Sequence, residues 1–132
     1  MPANLELLEN GHVISAVIAV PWQLQDVLDA YATETTWRDQ AAWKLHTILD
    51  LRRATPAPKG VLSLSRQSPS LIHPRRGAVA IVGGSAFGRT IVEMACRIAG
   101  FNQIRFFATP EQAWDYIRQV IAGESTAQVT VA

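Results

Sequence analysis

Cysteine occurs once in the 132 residues, at Cys96, so an internal disulfide framework is excluded and order has to come from burying a core. The thiol falls among apolar residues with nothing beside it in sequence to lower its pKa, the setting of a small core residue in a reducing compartment. An excess of charge of one sign is missing as well. Lys and Arg number 12 against 11 Asp and Glu, a formal net charge of +1, which removes any overall pull toward nucleic acid or a membrane surface. No apolar run reaches the roughly 18 residues of a membrane span, and no basic start leads into a signal-type apolar stretch. A soluble cytoplasmic protein is expected. Cys/His clusters and paired histidines on a helix face are lacking too, so neither a metal nor a cofactor is expected.

What is present is enough apolar side chain, 48% of the residues, for one compact core and one domain, placed at residues 1–122 with a flexible tail at 123–132. "NLELLENGHVISAVIAV" sets Asn10-Gly11 between two apolar runs, a hairpin signal, because both turn residues tolerate positive φ. After Pro21, Leu24, Val27, Leu28 and Tyr31 recur at helical spacing, and the helix ends in the polar "TETTWRDQ". "WKLHTILDL" reads as a buried strand. "RRATPAPKG" is a loop, since Pro56 and Pro58 forbid regular structure and Gly60 permits a turn. Val61 to Ile72 reads as a short second helix broken before Pro69.

Ala78 to Val82 is apolar throughout, as a strand covered on both faces should be. Phe87, Ile91, Met94, Ala95 and Ile98 then form an inward stripe, with Arg89, Glu93 and Arg97 outside and Gly100 at a left-handed cap followed by apolar Phe101. "QIRFFA" is a further strand. "TPEQAWDYIRQVIAG" opens with a capping box from Thr109 to Gln112 and Pro110 at the first helical position, turns Trp114, Ile117, Val120 and Ile121 inward, and closes at Gly123. The order ββαβαβαβα predicts an α/β fold with a single mixed sheet: an antiparallel opening hairpin, then parallel strands joined by right-handed crossovers and flanked by helices.

"VAIVGGSAFGRTIVEMACRIAG" poses the functional question. Gly83, Gly84 and Gly88 read G-G-x-x-x-G, not the dinucleotide G-x-G-x-x-G, and no Gly-Lys-Ser/Thr follows as in a nucleotide-binding P-loop. Ser85 is not framed as a nucleophile elbow, and His12, His46 and His73 occupy a strand start, a strand and a loop, where structural roles are expected. The glycines can let the chain turn sharply with Ser85 capping the helix, or the helix start can receive an anion. Arg52, Arg53 and Lys59 follow another parallel strand and are expected at that same edge. No nucleophile, base and orienting group can be assembled, so the chain reads as a non-enzyme. Of Trp22, Trp37 and Trp43, at least two are expected to pack under the first helix and its following loop.

With these elements in place, the chain resembles the STAS-like fold of bacterial anti-sigma-factor antagonists, and more closely the SpoIIAA-like or STAS/SEC14-like group. The residues that carry the likeness are the opening hairpin, "HTILDLRRA" as a central strand ending in Asp-Leu-Arg, "GAVAIVGGSAFGRTIVEMACRIAG" as strand and helix, and "QIRFFATPEQAWDYI" as the closing pair, from Leu5 to Ile121. The resemblance implies a regulatory or binding module that engages a protein partner, kinase or anti-sigma-like, through Arg52, Arg53, Thr55, Lys59, Gly83, Gly84 and Ser85. It also implies a phosphorylated serine in the loop after Asp-Leu. Here that position falls at about Lys59-Gly60, and Thr55 is the hydroxyl that remains beside Arg52 and Arg53, where phosphate would be a workable switch. The likeness to lipid-binding sheets implies the alternative, a carrier or sensor of a small anionic or amphiphilic ligand. Self-association through a sheet edge or helix face is compatible with either.

Overall fold

Val13, Ile14, Ala16 and Ile18 are all buried, so their strand is covered on both faces, whereas Ala3–Leu8 alternates between half-buried and exposed residues as an edge strand does. These are β2 (Val13–Ala19) and β1 (Ala3–Leu8) of a computed structural model that describes residues 3–55, 73–100 and 103–131. Helix α1 (Leu24–Gln40), β3 (Leu45–Arg53), β4 (Arg76–Val82), α2 (Ala86–Ala99), β5 (Ile104–Phe107) and α3 (Pro110–Val131) follow. The strands form one sheet in the order β1-β2-β3-β4-β5. The β1–β2 pair is antiparallel and the other three pairs are parallel. This is the mixed α/β sheet expected from the alternation of elements. The expected helix at Val61 to Ile72, the loop residues from Pro56 to Gly60 and Phe101 lie outside the described residues.

Residues paired across strands share a face, so the register assigns the two sides. One side carries Val13, Ile48, Ala80 and Val82, which with Ala78 pack against Ala113 and Ile117 of α3. Trp114, Val120 and Ile121 lie against that cluster, as the spacing predicts. The other side carries Ile14, Thr47, Val79, Ile81 and Phe106. Arg76 stacks over Tyr31 of α1 on that side, and Arg89 of α2 over Phe106, so α1 and α2 share it.

Several local details depart from expectation. The hairpin needs four residues rather than two, and Glu9, Asn10 and Gly11 in succession take positive φ, with Leu8 C=O accepting the Gly11 and His12 N–H groups. Helix α1 ends at Gln40, the last residue of "TETTWRDQ" as expected, but within that polar stretch Glu34 and Arg38 turn inward. Arg38 lies 3.4 Å from Glu34 Oε2 and donates to Thr47 Oγ1 at 2.9 Å. Burial pulls the Arg38 guanidinium below its ordinary pKa while Glu34 opposes the fall. Gln112 N–H donates to Thr109 Oγ1, but the Gln112 side chain reaches back to Ala108 N–H rather than to Thr109. Gly123 does not close α3, which continues to Val131; a single glycine costs about 1 kcal/mol inside a helix and need not break it.

Candidate functional site

The carboxyl ends of β3 and β4 stand side by side. A Cβ added to Gly83 would lie 2.6 Å from Arg52 Cγ, and one added to Gly84 3.6 Å from Leu51 Cβ. Gly83 and Gly84 both take positive φ, 71° and 93°, which carries the chain off β4 in a turn that side chains with a Cβ resist. Ser85 is then the N-cap of α2, its Oγ accepting the Gly88 N–H at 3.0 Å. The turn-and-cap arrangement is therefore the observed one. Arg89 Nε, one turn on, reaches back to Gly83 C=O at 3.4 Å.

Opposite this turn, β3 ends in an intramolecular clamp. Arg52 donates to both Asp50 oxygens, at 2.7 Å from Nη2 and 3.0 Å from Nε. Those hydrogen bonds hold the Asp50 carboxyl below its ordinary pKa, against the effect of its partial burial. They also raise the Arg52 pKa, and Glu111 at the start of α3 adds a weaker attraction. Arg53 follows, exposed, its C=O accepting the Val20 N–H at 2.8 Å. Among the described residues its guanidinium has no carboxylate within ion-pair distance. Trp22 Nε1 donates to Ala54 C=O at 2.7 Å, fixing the entry to α1 against the exit of β3. Thr55 stands exposed beyond it. Arg52, Arg53, Thr55, Gly83, Gly84 and Ser85 thus share one rim; Lys59 lies outside the described residues.

All three histidines lie at the other edge of the sheet. His12 precedes β2, His46 is the second residue of β3, and His73 precedes β4. Since β4 has 7 residues, at about 3.3 Å each the edges are ~20 Å apart. Ser85 therefore has no histidine in reach as a base, and its hydroxyl already serves the helix. His73 Nδ1 accepts the Arg75 N–H at 3.0 Å, and its Nε2 lies 2.7 Å from Asp39 Oδ1. Trp43, 44% exposed, stacks on the His12 ring at 4.3 Å and donates to Gly11 C=O, whereas Trp22 and Trp37 are half-buried.

His46 lies within β3, as expected, and makes a structural contact at an irregularity of the sheet. β4 carries one extra residue between the partners of Leu45 and Thr47, a bulge that frees the Ala78 N–H from the ladder. His46 Nδ1 accepts that N–H at 2.9 Å, so the ring proton of this tautomer sits on Nε2. The ring fits because position 77 is glycine: a Cβ there would run into Nδ1, Cε1 and Cγ of His46. Nε2 lies 3.0 Å from Glu124 Oε1 yet is buried without a hydrogen bond. The distance is that of an ion pair but the direction is wrong for one to close, and direction decides a hydrogen bond. Beside it is a cavity of about 260 Å³, lined by Lys44, His46, Gln103, Tyr116, Val120 and Glu124 among others. Gly77 before an apolar strand was the available signal, and it could be read only with the bulge in view.

Cys96 is half-buried, and desolvation pushes its thiol pKa up. Among the described residues no group of three or more His, Cys, Asp or Glu is placed to hold a metal, and no helix is long and apolar enough to cross a membrane. No protein-family model and no curated protein matches the chain.

Proposed function

We propose that this chain is a non-enzymatic, cytoplasmic binding module of the STAS-like type, which engages a protein partner in bacterial signalling through the rim at the carboxyl ends of β3 and β4. The observation that carries the reading is the approach of Gly83 to Arg52: two crossover exits meet and present Arg53, Thr55, Gly84 and Ser85 on one surface. Ser85 is engaged as a cap and Asp50 by Arg52, which favours recognition over turnover. Arg53 is the exposed charge to pair with an acidic partner residue, and such a rim charge acts mainly on association rate and salt dependence. Phosphate on Thr55 would place about two negative charges next to it and reverse that preference.

The test is calorimetric titration of kinase-like and anti-sigma-type partners, the class that the resemblance implies, with the wild type, Arg53→Glu and, as a control on the outer face of α3, Arg118→Glu. A complex weakened at least tenfold by Arg53→Glu and unchanged by Arg118→Glu is expected. A complex indifferent to Arg53→Glu, or none with any partner of that class, overturns the reading.

A further inference from the structure

The cavity at the amino-terminal edge lies across the sheet from the proposed docking rim and serves no part of it. Its chemistry is two-signed. Lys44 is exposed and, among the described residues, has no carboxylate within ion-pair distance. Glu124 supplies a half-exposed carboxylate, 43% accessible, from α3. Between them His46, with a side chain 2% accessible, offers a buried Nε2–H that makes no hydrogen bond among the described residues, Glu124 Oε1 standing 3.0 Å away but out of line. A buried donor left unpaired is costly, because it has given up water without a replacement acceptor. His46 is nevertheless held in place by the Ala78 N–H on its far side and by the absence of a side chain at Gly77. Val120 and Tyr116 add apolar wall to the same space, and Arg105 sits over the Tyr116 ring at 5.3 Å from its centroid.

We infer that this cavity binds a small zwitterion of amino-acid size. The ligand carboxylate takes the Lys44 ammonium and the His46 Nε2–H, its ammonium takes the Glu124 carboxylate, and its side chain lies against Val120 and Tyr116. A volume of about 260 Å³ is just below the usual 300–1,000 Å³ of pockets that enclose larger organic ligands, so a compact metabolite fits. Binding would also give an acceptor to the His46 Nε2–H, which with His12 Nδ1 is one of the buried ring nitrogens that make no hydrogen bond among the described residues. The occupant bridges the start of β3 to the last third of α3, so occupancy stiffens the end of that helix.

The experiment uses the full chain with its histidine rings ¹⁵N-labelled, titrated with each of the common free amino acids at millimolar concentration and followed by ring nitrogen shifts and thermal denaturation. The expected result is that one or a few amino acids shift the His46 Nε2 resonance and raise Tm. Lys44→Gln and Glu124→Gln, both surface changes that leave the core intact, each weaken binding at least tenfold, and the matching deaminated acid and decarboxylated amine do the same. If no amino acid moves His46 Nε2, or if binding survives both substitutions, the inference fails. Equal binding of the deaminated acid would also overturn it, because the cavity would then be a simple anion site.

Discussion

At the scale of single residues, two glycines do different work. Gly77 has no positive φ to defend; what it defends is the space of the His46 ring. Gly77→Ala forces either the ring out of its bond to Ala78 or the bulge to reshape, and overpacking of this kind costs about 1–3 kcal/mol. Gly83→Ala meets the mid-chain Cγ of half-exposed Arg52, which can move, and pays chiefly for its left-handed backbone, about 1–2 kcal/mol. Urea denaturation with the His46 ring observed by NMR separates them: both variants lose stability, and only Gly77→Ala displaces the Ala78–His46 hydrogen bond.

Asp50 belongs to the same scale. Because Arg52 lowers its folded pKa below the ordinary 3.8, the unfolded chain binds more protons between the two values. The stabilisation is complete above the ordinary value and is lost as pH falls through the folded one. Asp50→Asn is therefore less stable than the wild type at neutral pH, and the gap closes in acid below 3.8. Denaturant midpoints measured across that range check it, and a gap independent of pH would remove the clamp's role.

Among the elements, α1 separates what sequence pattern conveys from what it conceals. Strand and helix alternation, the hairpin, the Ser85 cap and the left-handed Gly100 follow from local rules acting within a few residues, and these were legible. The inward turn of Glu34 and Arg38 was not, because at spacing i, i+4 an ion pair on a solvated face and one beneath a helix look the same. What distinguishes them is Thr47, nine residues later and on another element. The rim was legible for the converse reason: parallel strands put all their carboxyl ends at one edge, so Arg52 and Gly83 had to meet there. The His46 cavity was not, since it depends on a bulge where Leu45 pairs with Arg76 and Thr47 with Val79, on strands far apart in sequence, and register is invisible to single-strand patterning.

The buried pair gives a sharp prediction at this scale. With 3% and 7% of their side chains accessible, Arg38 and Glu34 cannot be separated cheaply: Glu34→Ala leaves a buried guanidinium without its counter-charge and costs about 3–5 kcal/mol. Replacing both by Glu34→Leu and Arg38→Met recovers most of that loss. Equilibrium denaturation of the single and double variants checks it; a double variant no more stable than Glu34→Ala contradicts the pairing.

For the whole molecule, the sheet has two edges separated by the length of its strands. Loops, a glycine turn and the exposed Arg53 crowd the carboxyl edge, while histidines and a cavity occupy the amino edge. The central claim concerns the first: that edge recognises a protein partner and leaves it chemically unchanged. The most direct measurement is an amide NMR titration of the ¹⁵N-labelled chain with an anti-sigma-type or kinase-like partner, mapping every shifted resonance onto the sheet. Shifts gathered at Arg53, Thr55, Gly83, Gly84 and Ser85, with the partner recovered at unchanged mass, are predicted. Shifts gathered instead around His46 and Glu124, or a partner returned covalently altered, would contradict it.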